Sequence, residues 1–107
     1  MAATAYADAF AAQNLPPPGA WPEMRFDLPE LQYPDRLNCA VELLDKMVGS
    51  GCADRPAIHG AHGSWTYAQL LDSVNRIAHV LRDDMKLVSG NRVLVRGPNN
   101  AMMAASV

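Results

Sequence analysis

Cysteine, aromatic side chains and long apolar runs are scarce in this chain. Cys39 and Cys52 are its two cysteines among 107 residues. A pair without metal-type spacing fits reduced thiols of a cytoplasmic protein better than a disulfide scaffold. No apolar run approaches the roughly 20 residues that a membrane span needs. No Lys or Arg precedes Arg25, so the basic start of a secretory or mitochondrial leader is missing. The net charge is -2 and the pI is near 5.8. That leaves no broad positive field, and nucleic acid or an anionic membrane is excluded as the default partner. Neither G-x-G-x-x-G nor G-x-x-x-x-G-K-[ST] occurs, so the dinucleotide and P-loop readings fail.

What is present suits one small folded domain. Half of the residues are apolar and 19% are charged, ordinary for a globular chain. Residues 2–13 are Ala-rich and support a short helix or a frayed tail. Six of the eight prolines then fall between Pro16 and Pro34. Proline fixes φ and lacks an N–H donor, so this segment cannot join a central strand or a long helix. Trp21, Met24, Phe26, Leu28, Leu31 and Tyr33 punctuate it. So much apolar surface predicts an extended arm docked on a hydrophobic body, with a flexible leader as the alternative.

The first firm helix is expected over Asn38–Val48, capped by Asn38, stapled by Leu37 and stopped by Gly49 and Gly51. Val41, Leu44, Met47 and Val48 share its apolar face, and Glu42 stands four residues before Lys46 in the favourable order. Ala57–His59 and Ser64–Thr66 flank Gly60-Ala61-His62-Gly63 and predict an antiparallel hairpin. Thr66 and Gln69 form a T-x-x-Q capping box that opens a long helix. Leu70, Val74, Ile77, Ala78, Leu81 and Met85 recur at helical spacing and predict one continuous stripe. Arg92–Arg96, with its Val-Leu-Val centre, reads as a strand buried on both faces. Strand, helix and strand in succession then predict a right-handed crossover. Asn99 or Asn100 caps a last helix from Ala101, with about two turns before Val107 and no stop signal.

The expected fold class is therefore α/β. The chain reads as an N-terminal fragment of a larger α/β domain, a short β-hairpin and then a strand-helix-strand crossover, preceded by a Pro-rich extended arm. Residues 1–36 form the arm and residues 37–107 a partial subdomain cut in its last helix.

Candidate chemistry is thin. His59 and His62 could approach one metal but have no third ligand in register. His79 beside the stripe reads as a structural histidine. Asp83 and Asp84 diverge by roughly 100 degrees on a helix and cannot share a substrate atom. Gly97-Pro98-Asn99-Asn100 lies where α/β folds often bind phosphate, but Pro98 removes a donor, and a structural turn with a cap is the expected role. Ser64 and Ser73 lack a histidine-acid partnership or a nucleophile-elbow setting. No catalytic, cofactor-binding or metal-ligating residue is assigned.

Three stretches carry a resemblance: Asp54-Arg55-Pro56-Ala57-Ile58, Ser64-Trp65-Thr66-Tyr67-Ala68-Gln69-Leu70 and Gly90-Asn91-Arg92-Val93-Leu94-Val95. In this order and spacing they resemble the opening of adenylate-forming enzymes, which include acyl-CoA synthetases, adenylation domains and luciferases. Asn14-Leu15-Pro16-Pro17, Trp21-Pro22-Glu23, Tyr33-Pro34-Asp35-Arg36-Leu37-Asn38 and Arg96-Gly97-Pro98-Asn99-Asn100 look like the aryl-acid branch, especially benzoate-CoA and 2-aminobenzoate-CoA ligases.

The resemblance implies a two-step reaction in a full-length parent, with ATP, CoA and Mg as cofactors and a small carboxylic acid as substrate. The phosphate loop, nucleotide contacts and C-terminal lysine of such enzymes lie downstream, so none transfers to a position here. The fragment is expected to be inactive, to bind no cofactor alone, and to pair with the rest of the parent or with itself. A stand-alone interaction domain and a small nucleotide-binding protein using Asn99-Asn100 are the alternatives.

Overall fold

The computed structural model describes residues 6–107. The part of the Ala-rich start that precedes Tyr6 lies outside the described residues. Two compact units divide the chain, one of residues up to Leu37 with Val88–Arg92, the other of Asn38–Leu87 with Val93–Val107.

The first unit contains α1, Phe10–Gln13, a single turn. Asp8 accepts from the Phe10 amide at 2.9 Å, and the Asn14 side chain donates to the Phe10 carbonyl at 2.8 Å. Asp8 thereby satisfies an amide that the start of the helix leaves open, and Asn14 adds a side-chain bond to a carbonyl that its own amide already reaches. Pro18–Ala20 and Pro29–Leu31 are 3₁₀ turns that begin on proline, where the missing N–H costs nothing. Three-residue turns present no continuous apolar face. Trp21 instead donates from Nε1 to the Pro16 carbonyl at 2.7 Å, and Phe26 meets Tyr33 edge to face at 6.3 Å. Trp21, Met24, Phe26, Leu28 and Tyr33 all stay about half exposed or more.

In the second unit a helical stretch covers residues 39–52. Asn38 caps it, accepting from the Val41 amide at 3.2 Å, and Glu42 holds Lys46 at 2.5 Å. The stretch includes two wide π-type turns, Val41–Asp45 and Val48–Cys52. It runs through Gly49 and is broken at Gly51, whose φ of 85° only glycine adopts without strain. Of the two expected stops, Gly51 breaks the helix and Gly49 does not, so the helix runs past the expected end at Val48.

β1, Pro56–Gly60, pairs antiparallel with β2, Gly63–Thr66, and Gly60 faces Gly63 across an Ala61-His62 turn. Thr66 then caps α2, Tyr67–His79, through the full reciprocal box: its side chain accepts from the Gln69 amide and its own amide donates to Gln69. A wide turn, Val80–Asp84, extends α2. Leu87 donates to the Leu81 carbonyl at 3.0 Å while Lys86 takes φ 56°, a Schellman-type close with lysine in the place glycine favours. α3, Ala101–Ser106, is capped by Asn100, which accepts from the Met103 amide at 2.9 Å. It packs on α2. Leu70 and Ala105 are the buried apolar residues among those described.

Helices with a two-stranded antiparallel sheet make a small α/β unit. Two expectations need correction. Arg92–Arg96 carries no strand pairing, so the crossover's second strand is absent among the described residues. A strand is held by its neighbour's ladder, and without one Leu94 is 94% exposed. Met85 leaves the stripe and is 62% exposed. The wide turn inserts about one extra residue, and one residue is roughly 100 degrees of rotation on a helix.

Candidate functional site

The stripe on α2 lines a concave feature of the second unit. Leu70, Val74, Ile77, Ala78 and Leu81 face Leu43 and Leu44 of the 39–52 stretch and the end of α3 around a cavity of about 490 Å³. Its lining is mostly apolar and includes Cys39 and Ser106, whose hydroxyl already donates to the Met102 carbonyl at 2.8 Å. It can hold apolar groups and offers nothing to polarise a carbonyl or phosphoryl oxygen.

The Gly97–Asn100 turn borders a second hollow of about 250 Å³, together with Arg96, Met102 and Met103. The Asn100 carboxamide already accepts from the Met103 amide, and the Asn100 carbonyl accepts from Ala104. The first-turn amide that a phosphate would use at Met103 is therefore taken by the cap. The turn acts as structure.

His59 and His62 are not brought to a common point with any third ligand. His59 Nδ1 lies 2.9 Å from Ser64 Oγ on the facing strand. Among the described residues no group of three or more His, Cys, Asp or Glu could hold a metal ion. These residues do not fit a nucleotide with magnesium.

At the end of α2, His79 Nδ1 stands 3.0 Å from Asp83 Oδ2, and Arg82 grips the same carboxylate at 2.7 and 2.9 Å. Arg82 first and His79 second hold the Asp83 carboxyl well below the usual aspartate range, while Asp83 pushes the Arg82 guanidinium up. All three are solvent-facing. The cluster stabilises charge on a helix end in open contact with solvent.

One constellation has no counterpart among the sequence motifs. Asp8 and Asn91, 83 residues apart, meet at 2.8 Å. Separation of that size leaves no local signal.

The model of the family described as AMP-binding enzyme matches residues 46–107, more than half of the chain. The chain belongs to the AMP-binding enzyme family. Comparison with curated proteins and with solved structures gives no match. AMP-binding enzymes are adenylate-forming and use ATP. The matched region takes in the hairpin, α2 and α3. The geometry there comprises a capped helix, an apolar face and two turns. No helix among the described residues is long and apolar enough to cross a membrane.

Proposed function

We propose that this chain is the N-terminal α/β portion of an ATP-dependent acyl- or aryl-CoA ligase. The match to AMP-binding enzyme over residues 46–107 carries the reading. In such a ligase a carboxylate oxygen attacks the α-phosphorus of ATP and pyrophosphate leaves. The CoA sulfur then attacks the acyl carbon, AMP leaves with the bonding pair, and the thiol proton passes to solvent or a base. Adenylation matters because a carboxylate oxygen is a poor leaving group until phosphorylated. Magnesium would accompany the ATP. An aromatic acid is the proposed substrate class, on the likeness of Trp21-Pro22-Glu23 and Arg96-Gly97-Pro98-Asn99-Asn100 to aryl-acid ligases. A cytoplasmic location fits ATP and CoA supply.

The role of residues 6–107 in that enzyme is to build and support the sheet and helix layers, not to touch the reacting atoms. Exposed Leu94 and the open apolar cavity support this, because both need cover from further chain or from a second copy. The same two features favour a second reading, a stand-alone interaction module. Titration of the 107-residue chain with Mg-ATP by calorimetry separates a scaffold from a nucleotide site. No saturable heat is expected, and saturable binding would overturn the scaffold role. The coding sequence past Val107 separates ligase from module: a Gly/Ser/Thr-rich loop carrying lysine supports the ligase, and an immediate stop refutes it.

A further inference from the structure

Four contacts converge on one residue in the first unit. Asp8 Oδ1 accepts from the Phe10 amide, and Asp8 Oδ2 accepts from Asn91 Nδ2 at 2.8 Å. Arg92 Nη1 stands 4.0 Å from the same Oδ2. The Asp8 backbone amide donates to the Ser89 carbonyl at 2.9 Å. The other end of the Asn91 carboxamide accepts from the Val88 amide at 2.9 Å, which fixes the orientation of the group. Arg92 adds a second hold, its guanidinium carbon lying 3.9 Å from the centre of the Phe10 ring. Gly90 sits under this join with φ 97°, and a Cβ there would run into the Asp8 carbonyl and Tyr6 Cβ. The loop has no room for a side chain at that position because the segment containing Asp8 lies directly on it.

We propose that residues 6–14 are a strap latched to the Val88–Arg92 loop by Asp8, with Asn91 as the matching catch and Gly90 as the seat. The latch is polar and specific. The Asp8 side chain is 25% exposed, whereas the arm that follows leaves its large apolar groups in solvent. Apolar burial of the arm therefore does not fix the start of the chain, and the latch does. Closing residue 8 on residue 91 also gives the Pro-rich segment a tied end on its N-terminal side, which limits its excursions. The Phe10 amide first and Asn91 second hold the Asp8 carboxyl below its ordinary value, as expected for a carboxylate that donors have been arranged to receive. The strap does not depend on the ligase reading.

A donor–acceptor swap tests it on the full chain. Asn91→Asp sets carboxylate against carboxylate and should open the latch. Asp8→Asn in the same molecule restores the hydrogen bonds of the latch and gives up only the 4.0 Å charge contact of Arg92 with position 8. The carboxamide introduced at position 8 can accept from the Phe10 amide through its oxygen and donate through its nitrogen to the carboxylate introduced at position 91. Hydrogen exchange at the residue-8 amide reads the Ser89 bond directly, with the α2 amides as internal reference. Exchange about tenfold faster in Asn91→Asp is expected, with return toward the wild-type rate in the double variant. Unchanged protection in Asn91→Asp, or a double variant that exchanges as fast as the single, would overturn the proposal. If Asn91→Asp also deprotects α2, recovery or failure in the double variant still decides.

Discussion

Lys86 closes the helical run from α2 in the left-handed region, with φ 56°. A residue with a Cβ pays roughly 1–2 kcal/mol there, partly offset by the extra freedom glycine gains when unfolded. Lys86→Gly is expected to stabilise the chain by about 0.5–1 kcal/mol in urea unfolding, and destabilisation would contradict the assigned close. Thr66→Ala removes one half of a capping box whose two bonds are both made; a loss of about 1 kcal/mol is expected. Asp83 makes a pH prediction. Its folded value lies below the ordinary 3.8, so folding favours the ionised form. The contribution is fully present above the ordinary value and is lost as pH falls through the lower folded value. An NMR titration of the Asp83 carboxyl should give a midpoint below 3.8, and a midpoint at that value would remove the Arg82 and His79 hold.

At the scale of elements, the α2 stripe ends at Leu81 and not at Met85. Leu70 is 8% exposed but borders the open cavity, so its truncation loses transfer energy without leaving a newly sealed void. Leu70→Ala is expected to cost about 2 kcal/mol, the low end for a core leucine, while Met85→Ala should stay within about 0.5 kcal/mol. Equal losses in paired urea titrations would restore Met85 to the stripe. The contrast shows which parts of the fold a sequence displays. Thr66 with Gln69, Asn38 and Asn100 each bond within three residues, so their caps are legible as local chemistry. The hairpin is legible because Gly60 and Gly63 bracket it. Wide turns leave no sequence mark, and Val80–Asp84 swings Met85 off the face that its spacing assigns. Arg92–Arg96 has a strand's composition, but pairing is a property of two segments, and the second is not beside it. Asp8 and Asn91 escape for the same non-local reason.

For the molecule as a whole, Leu94 and the α2 face leave apolar surface open to solvent. Such surface drives association when nothing else covers it. Sedimentation of the 107-residue chain is expected to show concentration-dependent self-association, weakened by Leu94→Lys without loss of helix content. A concentration-independent monomer would count against the need for cover. The central claim concerns the ligase itself, and carboxylate-dependent exchange of labelled pyrophosphate into ATP measures the adenylation step without CoA. A polypeptide that carries this chain on past Val107 into the proposed ligase is expected to catalyse exchange with an aromatic acid, while the 107-residue chain gives none. Exchange by the 107-residue chain alone, or none by the longer polypeptide across a panel of aryl and acyl acids, would contradict the account.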